Sequence, residues 1–331
     1  MAALSDRSAA EPSRRARWLR TAQCVAVPVG LMVLLWLAIA HRERIRPVGS
    51  AWLPMLAMLL AQASLLLVAI RFHLATVAMG IRIPARTSAR IALQSLFYMF
   101  FLPFGAGAEV SRWVKLRRAA PATTRTQAVA TIALDRVTPF VACLAIFSAC
   151  LPLLRNGEIA SAIHGVRPSQ AAPVLAALLL IAAIAAIRWR SWLWNALVPL
   201  RSGERSQVMR LTAMVAISVA VQLSGALELA MLGWWLGAEL PLPEAALAST
   251  GAMLAQVLPL SIAGAGTGEL GMALLLTASG IPGVQAIMLT TASYLAKLVV
   301  AIECGLLEWP GWNRPVLGDG PPTPPISSTP P

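Results

Sequence analysis

Apolar residues in this chain gather into long runs, with most polar residues between them. A bilayer-crossing helix needs about 20 consecutive apolar residues. Six runs qualify, at about 22–40, 50–70, 126–150, 171–187, 208–232 and 282–306. Two further apolar stretches are broken. Ile91–Gly105 is interrupted at Pro103, and Ala245–Leu276 at Pro259 and a glycine cluster. Neither is long enough to cross and return as two full spans. Each reads as a re-entrant hairpin, two short helices meeting at a Gly/Pro tip inside the bilayer.

The broken stretches resemble each other. Ile91-Ala92-Leu93-Gln94-Ser95 matches Ala245-Ala246-Leu247-Ala248-Ser249, and Leu102-Pro103 matches Leu258-Pro259. A Gly/Ala turn follows in both, then a glutamate that opens the next helix, Glu109 or Glu269. Each predicted hairpin follows two spans and precedes one. Three spans per half is an odd number, so the halves must lie in opposite orientations. Inverted repeats with paired broken segments characterise transporters that alternate access around a midplane site.

Composition narrows the class. Hydrophobic residues make up 58% of the 331 positions and charged residues 12%, against about 25% charged in soluble domains. With a mean hydropathy of +0.71, this excludes a soluble globular or disordered chain. The net charge of +13 does not point to nucleic acid, because the cations sit at the ends of apolar runs rather than on a basic face. They read as topology determinants and lipid-headgroup contacts. Arginines concentrate in the first 20 residues, in 71–125 and in 188–210, whereas 233–281 has no basic residue. The positive-inside rule places the basic segments, and both termini, in the cytoplasm of a bacterial cell with this chain in its inner membrane. Arg42, Arg44 and Arg46 run against that topology. Ala38-Ile39-Ala40 resembles a signal-peptidase site, but the long apolar core and the basic residues after it favour an uncleaved span. Residues 321–331 form a polyproline-prone tail. Cys24, Cys143, Cys150 and Cys304 lie in or beside apolar runs and read as small hydrophobes. His41, His73 and His164 are scattered, so no metal site or cofactor is expected.

Ionisable residues inside spans cost roughly 2.5–3.5 kcal/mol each at a helix centre, and so mark candidate sites. Glu109 and Arg112 share one face at a helix start, followed by Lys115, Arg117 and Arg118. This cluster suits a phosphate headgroup or an interfacial anchor equally. Asp135 and Arg136 are adjacent and cannot face each other on a helix. Asp135 is therefore expected to meet Arg112, and Arg136 to meet Glu109. Ser218, Gln222, Gly225 and Glu228 form one polar stripe, and Thr290, Ser293 and Lys297 another. They imply either a wet cavity or a Glu228–Lys297 pair. Gly266 to Gly271 matches G-x-G-x-x-G, but no strand precedes it, so a dinucleotide site is rejected. Gly266 and Gly268 instead allow a tight tip, and Gly233-x-x-x-Gly237 permits close packing in a homodimer.

These residues carry a resemblance to the lysylphosphatidylglycerol synthase transmembrane-region family, also described as flippase-like, over about residues 20–308. Leu102-Pro103 through Glu109 and Arg112 is similar to the family's L-P-x-R-x-G-E-x-x-R segment. Asp135-Arg136 is similar to its E-R-x-x-D segment, and Leu258-Pro259 through Gly268-Glu269 to its P-x-x-P-G-G-x-G-x-x-E segment. The chain departs from the pattern in three ways. No basic residue stands between Pro103 and Gly107, Asp135 replaces a glutamate, and Pro139 stands where an acidic residue is expected. The resemblance implies a lipid flippase or a component of envelope-lipid pathways, here without the soluble aminoacyl-transferase domain of larger relatives.

The combined expectation is an all-α integral membrane protein. It has six transmembrane helices plus two re-entrant helical hairpins, arranged as an inverted repeat. A basic tail (1–20) precedes repeat one (about 21–150) and repeat two (about 170–308), and a Pro-rich tail (309–331) follows. The expected function is translocation of an anionic or polyprenyl- or hopanoid-type envelope lipid. Glu109, Arg112, Asp135 and Arg136 would handle the headgroup, and Glu269 with the 266–268 tip would form an opposing gate. The alternatives are a scaffold for a soluble lipid-modifying transferase and a membrane transferase acting on a lipid phosphate. The latter lacks a D-x-D motif or any carboxylate cluster.

Overall fold

The computed structural model describes residues 49–101, 107–150, 205–256 and 267–308. They form eight helices: α1 Trp52–Ala78, α2 Ala85–Phe101, α3 Gly107–Ala119, α4 Arg125–Cys150, α5 Arg205–Trp235, α6 Leu242–Ala255, α7 Thr267–Ala278 and α8 Gly283–Leu306. No strand occurs among the described residues. Four helices, α1, α4, α5 and α8, are long and apolar enough to cross a membrane. The other four have 12–17 residues, or about 18–26 Å at 1.5 Å per residue, less than the roughly 30 Å of a hydrocarbon core. They pack as two pairs, α2 on α3 and α6 on α7. The expected spans at 22–40 and 171–187 lie outside the described residues, as do both hairpin tips, Gly266 and Cys24.

The same local device shapes both halves. α1 ends with Gly80 at φ 74° and α5 with Gly237 at φ 71°. Ile81 N donates to Thr76 O, and Ala238 N to Gly233 O, so each helix closes in a Schellman-type turn. Pro84 and Pro241 then stand immediately ahead of α2 and α6, where a missing N–H costs nothing. Counted from these turns, Ala245 is equivalent to Ser88 rather than to Ile91. The letter match between Ile91–Ser95 and Ala245–Ser249 is therefore about one helical turn out of register.

Helix packing follows the same rule. Exchanging α1 with α5, α2 with α6, α3 with α7 and α4 with α8 maps every substantial helix contact onto another one. Thus α2 packs on α8 as α6 packs on α4, and α3 on α4 as α7 on α8, while the central α1–α5 contact maps onto itself. Alanines make that centre close. Ala57, Ala61, Ala69 and Ala75 of α1 are buried, with Ala226 and Ala230 of α5, and small side chains let helix backbones approach. The outer surface is apolar: Leu59, Leu66 and Ile70 of α1, Val137 and Val141 of α4, and Leu270 and Leu274 of α7 are exposed. Buried polar groups under an apolar exterior suit a lipid solvent.

Sequence-based boundaries are close for α4, α5 and α8. For α1 they stop short: the run ended at residue 70, yet the helix continues to Ala78. Arg71 was counted with a cytoplasmic loop, but it is 5% exposed within the helix. Cys143, Cys150 and Cys304 are free and buried, as small hydrophobes would be. Gly233 and Gly237 act within the chain's own turn. A Cβ on Gly233 would stand 3.0 Å from Leu240 Cβ, and Gly237 supplies the positive φ.

Candidate functional site

α4 begins with a capping box. Gln127 N donates to Thr124 Oγ1 (3.1 Å), and Thr124 N donates to Gln127 Oε1 (3.0 Å). This fixes the start of the helix that carries Asp135 and Arg136 in its third turn. Further along, Pro139 lies inside α4. It removes the backbone hydrogen bond that would close on the carbonyl of Asp135.

Asp135 is 0% exposed and serves two arginines. Arg71 Nε of α1 donates to Asp135 Oδ1 at 2.9 Å, and Arg112 Nη1 of α3 donates to Asp135 Oδ2 at 2.5 Å. The side chains of Arg71 and Arg112 are 6% and 2% exposed. Arg112 Nε donates to Ser95 Oγ of α2 (2.7 Å), which in turn donates to Ala92 O (2.6 Å). The Arg112 guanidinium also lies 5.2 Å from the ring centroid of Phe72. Arg71 Nη1 reaches Ser218 Oγ of α5 at 3.4 Å. One carboxylate therefore ties α1, α3 and α4, and the two guanidinium groups extend the network to α2 and α5. Two cations share one anion, which leaves a net positive charge in a buried site.

Beside it, Arg136 forms an ion pair with Glu109 of α3, and this pair is about one-third exposed. Glu109 Oε2 and Arg136 Nε are buried without a hydrogen-bond partner among the described residues. Both expected pairings, Arg112 with Asp135 and Arg136 with Glu109, are present in the structure. The sequence reading missed Arg71. Its signal was available: apolar residues resume after it, from Phe72 to Met79, as they do within a continuing helix.

Further along α3, Lys115 Nζ donates to Gln94 Oε1 (2.8 Å), pairs with Glu308, and lies 5.0 Å from the Tyr98 ring centroid. Gln94 Nε2 donates to Leu307 O (2.8 Å). The end of α8 is thus clasped onto the first helix pair.

The second half keeps the geometry and changes the chemistry. Glu269 is the third residue of α7, as Glu109 is of α3. The place of Arg112 is taken by Met272. The places of Asp135 and Arg136 in α4 correspond to Ser293 and Tyr294 in α8, and the charge of Glu269 acts on Tyr294. Arg71 lies nine residues before its turn glycine, and Glu228 nine before its own. Gly268 serves packing: a Cβ there would stand 2.5 Å from Gln256 Cγ. Gly271 likewise faces Ala255 at 3.2 Å. The G-x-G-x-x-G glycines that are described thus belong to the α6–α7 contact.

Glu228 and Lys297 do not form an ion pair in the structure. Glu228 is 5% exposed, and its Oε1 has no hydrogen-bond partner among the described residues. Lys297 is exposed on α8, and its charge reaches Glu228 only through space. The expected second stripe splits, with Thr290 and Ser293 buried and Lys297 outside. A long lysine stem can keep its ammonium at a polar boundary while the helix stays apolar.

The family model for the lysylphosphatidylglycerol synthase TM region matches residues 21–304, and the chain belongs to that family. No curated protein and no solved structure matches the chain.

Proposed function

We propose that this member of the lysylphosphatidylglycerol synthase TM region family moves a lipid with an anionic headgroup between the leaflets of a bacterial inner membrane. The observation that carries this reading is the buried Arg71–Asp135–Arg112 network. Three charges are held in an apolar domain, at a cost that fold alone does not require, and the excess is positive. Two arginines that converge on one carboxylate from different helices have the donor geometry that binds phosphate oxygens. Glu109 at the start of α3 and its partner Arg136 of α4, both partly exposed, form the approach to it. Glu269, which opens α7, forms the opposing gate.

The packing exchange between halves supports a repeat, which we read as inverted, with six spans when the apolar runs at 22–40 and 171–187 are counted and with two re-entrant hairpins. α2, α3, α6 and α7 are too short to cross, and each pair recurs between two long helices. The distribution of arginines along the sequence supports both termini lying in the cytoplasm. The reading requires no covalent step and no cofactor.

The test is reconstitution of the full chain in liposomes holding a trace of fluorescent phosphatidylglycerol, with a quencher added outside. Wild type should expose the inner-leaflet label, and Arg112→Gln should reduce the rate at least tenfold. Folded wild type that moves no anionic lipid, including a polyprenyl phosphate, would sink the reading. Single cysteines at positions 107 and 266 in a Cys-free background should label from opposite sides. Labelling from one side would remove the inverted repeat.

A second reading, a scaffold for a soluble lipid-modifying transferase, is favoured by the clasp of Lys115 and Gln94 on Glu308 and Leu307. That clasp joins the segment entering the Pro-rich tail to the first helix pair. Pull-down of a transferase, lost on deleting residues 315–331, would support it.

A further inference from the structure

Glu228 has no role in the arginine network, yet it is buried as deeply. Charged groups are carried by all four helices packed against α5. Arg71 of α1 and Asp135 of α4 are ion-paired with each other. Glu244 opens α6, at the positive end of that helix, and has an interaction of its own. Lys297 of α8 is exposed. Among the described residues Glu228 is left without an ion pair, with an acceptor oxygen, Oε1, that no donor meets. A fixed carboxylate in that position would be an uncompensated charge in an apolar medium. A carboxyl group that takes up and releases a proton needs no permanent partner.

Its placement also links it to the anion site. Ser218, Gln222 and Glu228 are all buried on α5, and Ser218 accepts from Arg71. Ten residues separate Ser218 from Glu228, about 15 Å along the helix. Ser218 thus sets the Arg71 guanidinium and the Glu228 carboxyl on one buried helix face, through an interior that screens charge less than water does.

We propose that Glu228 carries the proton that couples lipid translocation to a pH gradient, with one proton moving alongside each monoanionic headgroup. This rests on the lipid-transport reading above. A headgroup phosphate arriving at Arg71 and Arg112 cancels their positive potential. The ionised Glu228 carboxylate then loses that support and accepts a proton from water on the loading side. When the headgroup leaves, the positive potential returns and the carboxylic acid releases its proton to water on the other side. Linkage makes the effect reciprocal: protonated Glu228 favours the bound anion. The step moves one proton and one monoanion, so it is electroneutral.

Two measurements test this. In liposomes with trace fluorescent phosphatidylglycerol, one pH unit across the membrane should drive about a tenfold leaflet asymmetry of the label, the equivalent of one proton per lipid. Glu228→Gln should still exchange label at equal pH but show no asymmetry, and Glu303→Gln should behave as wild type. Independently of transport, infrared difference spectra of the purified full chain should show a protonated carboxyl band lost in Glu228→Gln, and phosphatidylglycerol should strengthen it. Wild type that exchanges lipid but gives the same asymmetry as Glu228→Gln overturns the coupling. So does a spectrum without that band. Wild type that exchanges no lipid at all overturns the transport reading, and the coupling falls with it.

Discussion

Replacing Asp135 by asparagine should destabilise the protein more than any single arginine replacement in the same network. The reason is charge arithmetic in a closed space. Asp135 accepts from Arg71 Nε at 2.9 Å and Arg112 Nη1 at 2.5 Å, and its side chain is 0% exposed. The amide keeps the shape but leaves two buried guanidinium groups uncompensated. Removing one partner of a buried ion pair costs about 3–5 kcal/mol, and here one partner serves two. Arg71→Gln leaves a neutral Arg112–Asp135 pair and loses hydrogen bonds to Asp135 and Ser218, about 1–3 kcal/mol. At roughly 2 °C per kcal/mol for a chain of this size, Asp135→Asn should melt about 6–10 °C lower and Arg71→Gln about 2–6 °C lower. The double variant should recover part of the Asp135→Asn loss, because it buries one excess cation rather than two. Intrinsic fluorescence of the 11 tryptophans during heating in detergent gives all four melting points. If Arg71→Gln is as damaging as Asp135→Asn, and the double variant is additive, the shared-carboxylate account is wrong.

On the transport reading, reversing the Glu109–Arg136 pair should separate stability from transport. Either single reversal should abolish lipid translocation with less than about 1 kcal/mol lost, since the pair is one-third exposed, and the double reversal should restore a measurable part of the rate. Gly305→Ala places a Cβ 2.4 Å from Phe97 Cδ2 and 3.0 Å from its Cγ. It should cost about 1–3 kcal/mol as an overpacked α2–α8 contact, and Phe97→Leu in the same chain should relieve it in a thermal melt. Gly80→Ala and Gly237→Ala force alanine to φ 74° and 71°. Each should lower stability by about 1–2 kcal/mol, and the two melting points should fall together, because the turns make the same hydrogen bonds.

Much of this architecture was legible because a bilayer demands long apolar runs and penalises charges within them. Asp135 and Arg136 could be assigned different partners, since adjacent helical residues face apart, and two carboxylates and two arginines leave few neutral pairings. Arg71 escaped the same logic because a charge at the end of an apolar run looks like the membrane boundary. The boundary is set instead by where apolar residues stop, at Met79. Helix rotation was not legible. The spacing of Thr290, Ser293 and Lys297 fits one face, but packing of α8 against α2 and α7 turns Lys297 outward and leaves Glu228 alone. Nor was register: five similar letters aligned Ile91 with Ala245, whereas a glycine at positive φ, a stronger physical constraint, aligns Ser88.

The exchange of packing partners has an evolutionary reading. The eight described helices have the contact pattern that two copies of one repeat, fused into one chain, would make. In a dimer of identical subunits every side chain occurs twice, so an arginine at position 71 would require a second arginine where Glu228 stands. Glu109 would likewise be doubled together with Arg112, and no carboxyl group could be left alone opposite a cationic cluster. Fusion removes that constraint. Once the two copies share a chain, they can drift apart in charge while the scaffold stays matched, so a symmetric frame can carry a polar, directional device. On this reading the two glycine turns, which make the same hydrogen bonds, would be what remains of that equivalence, and Arg71 and Glu228 the place where it was broken.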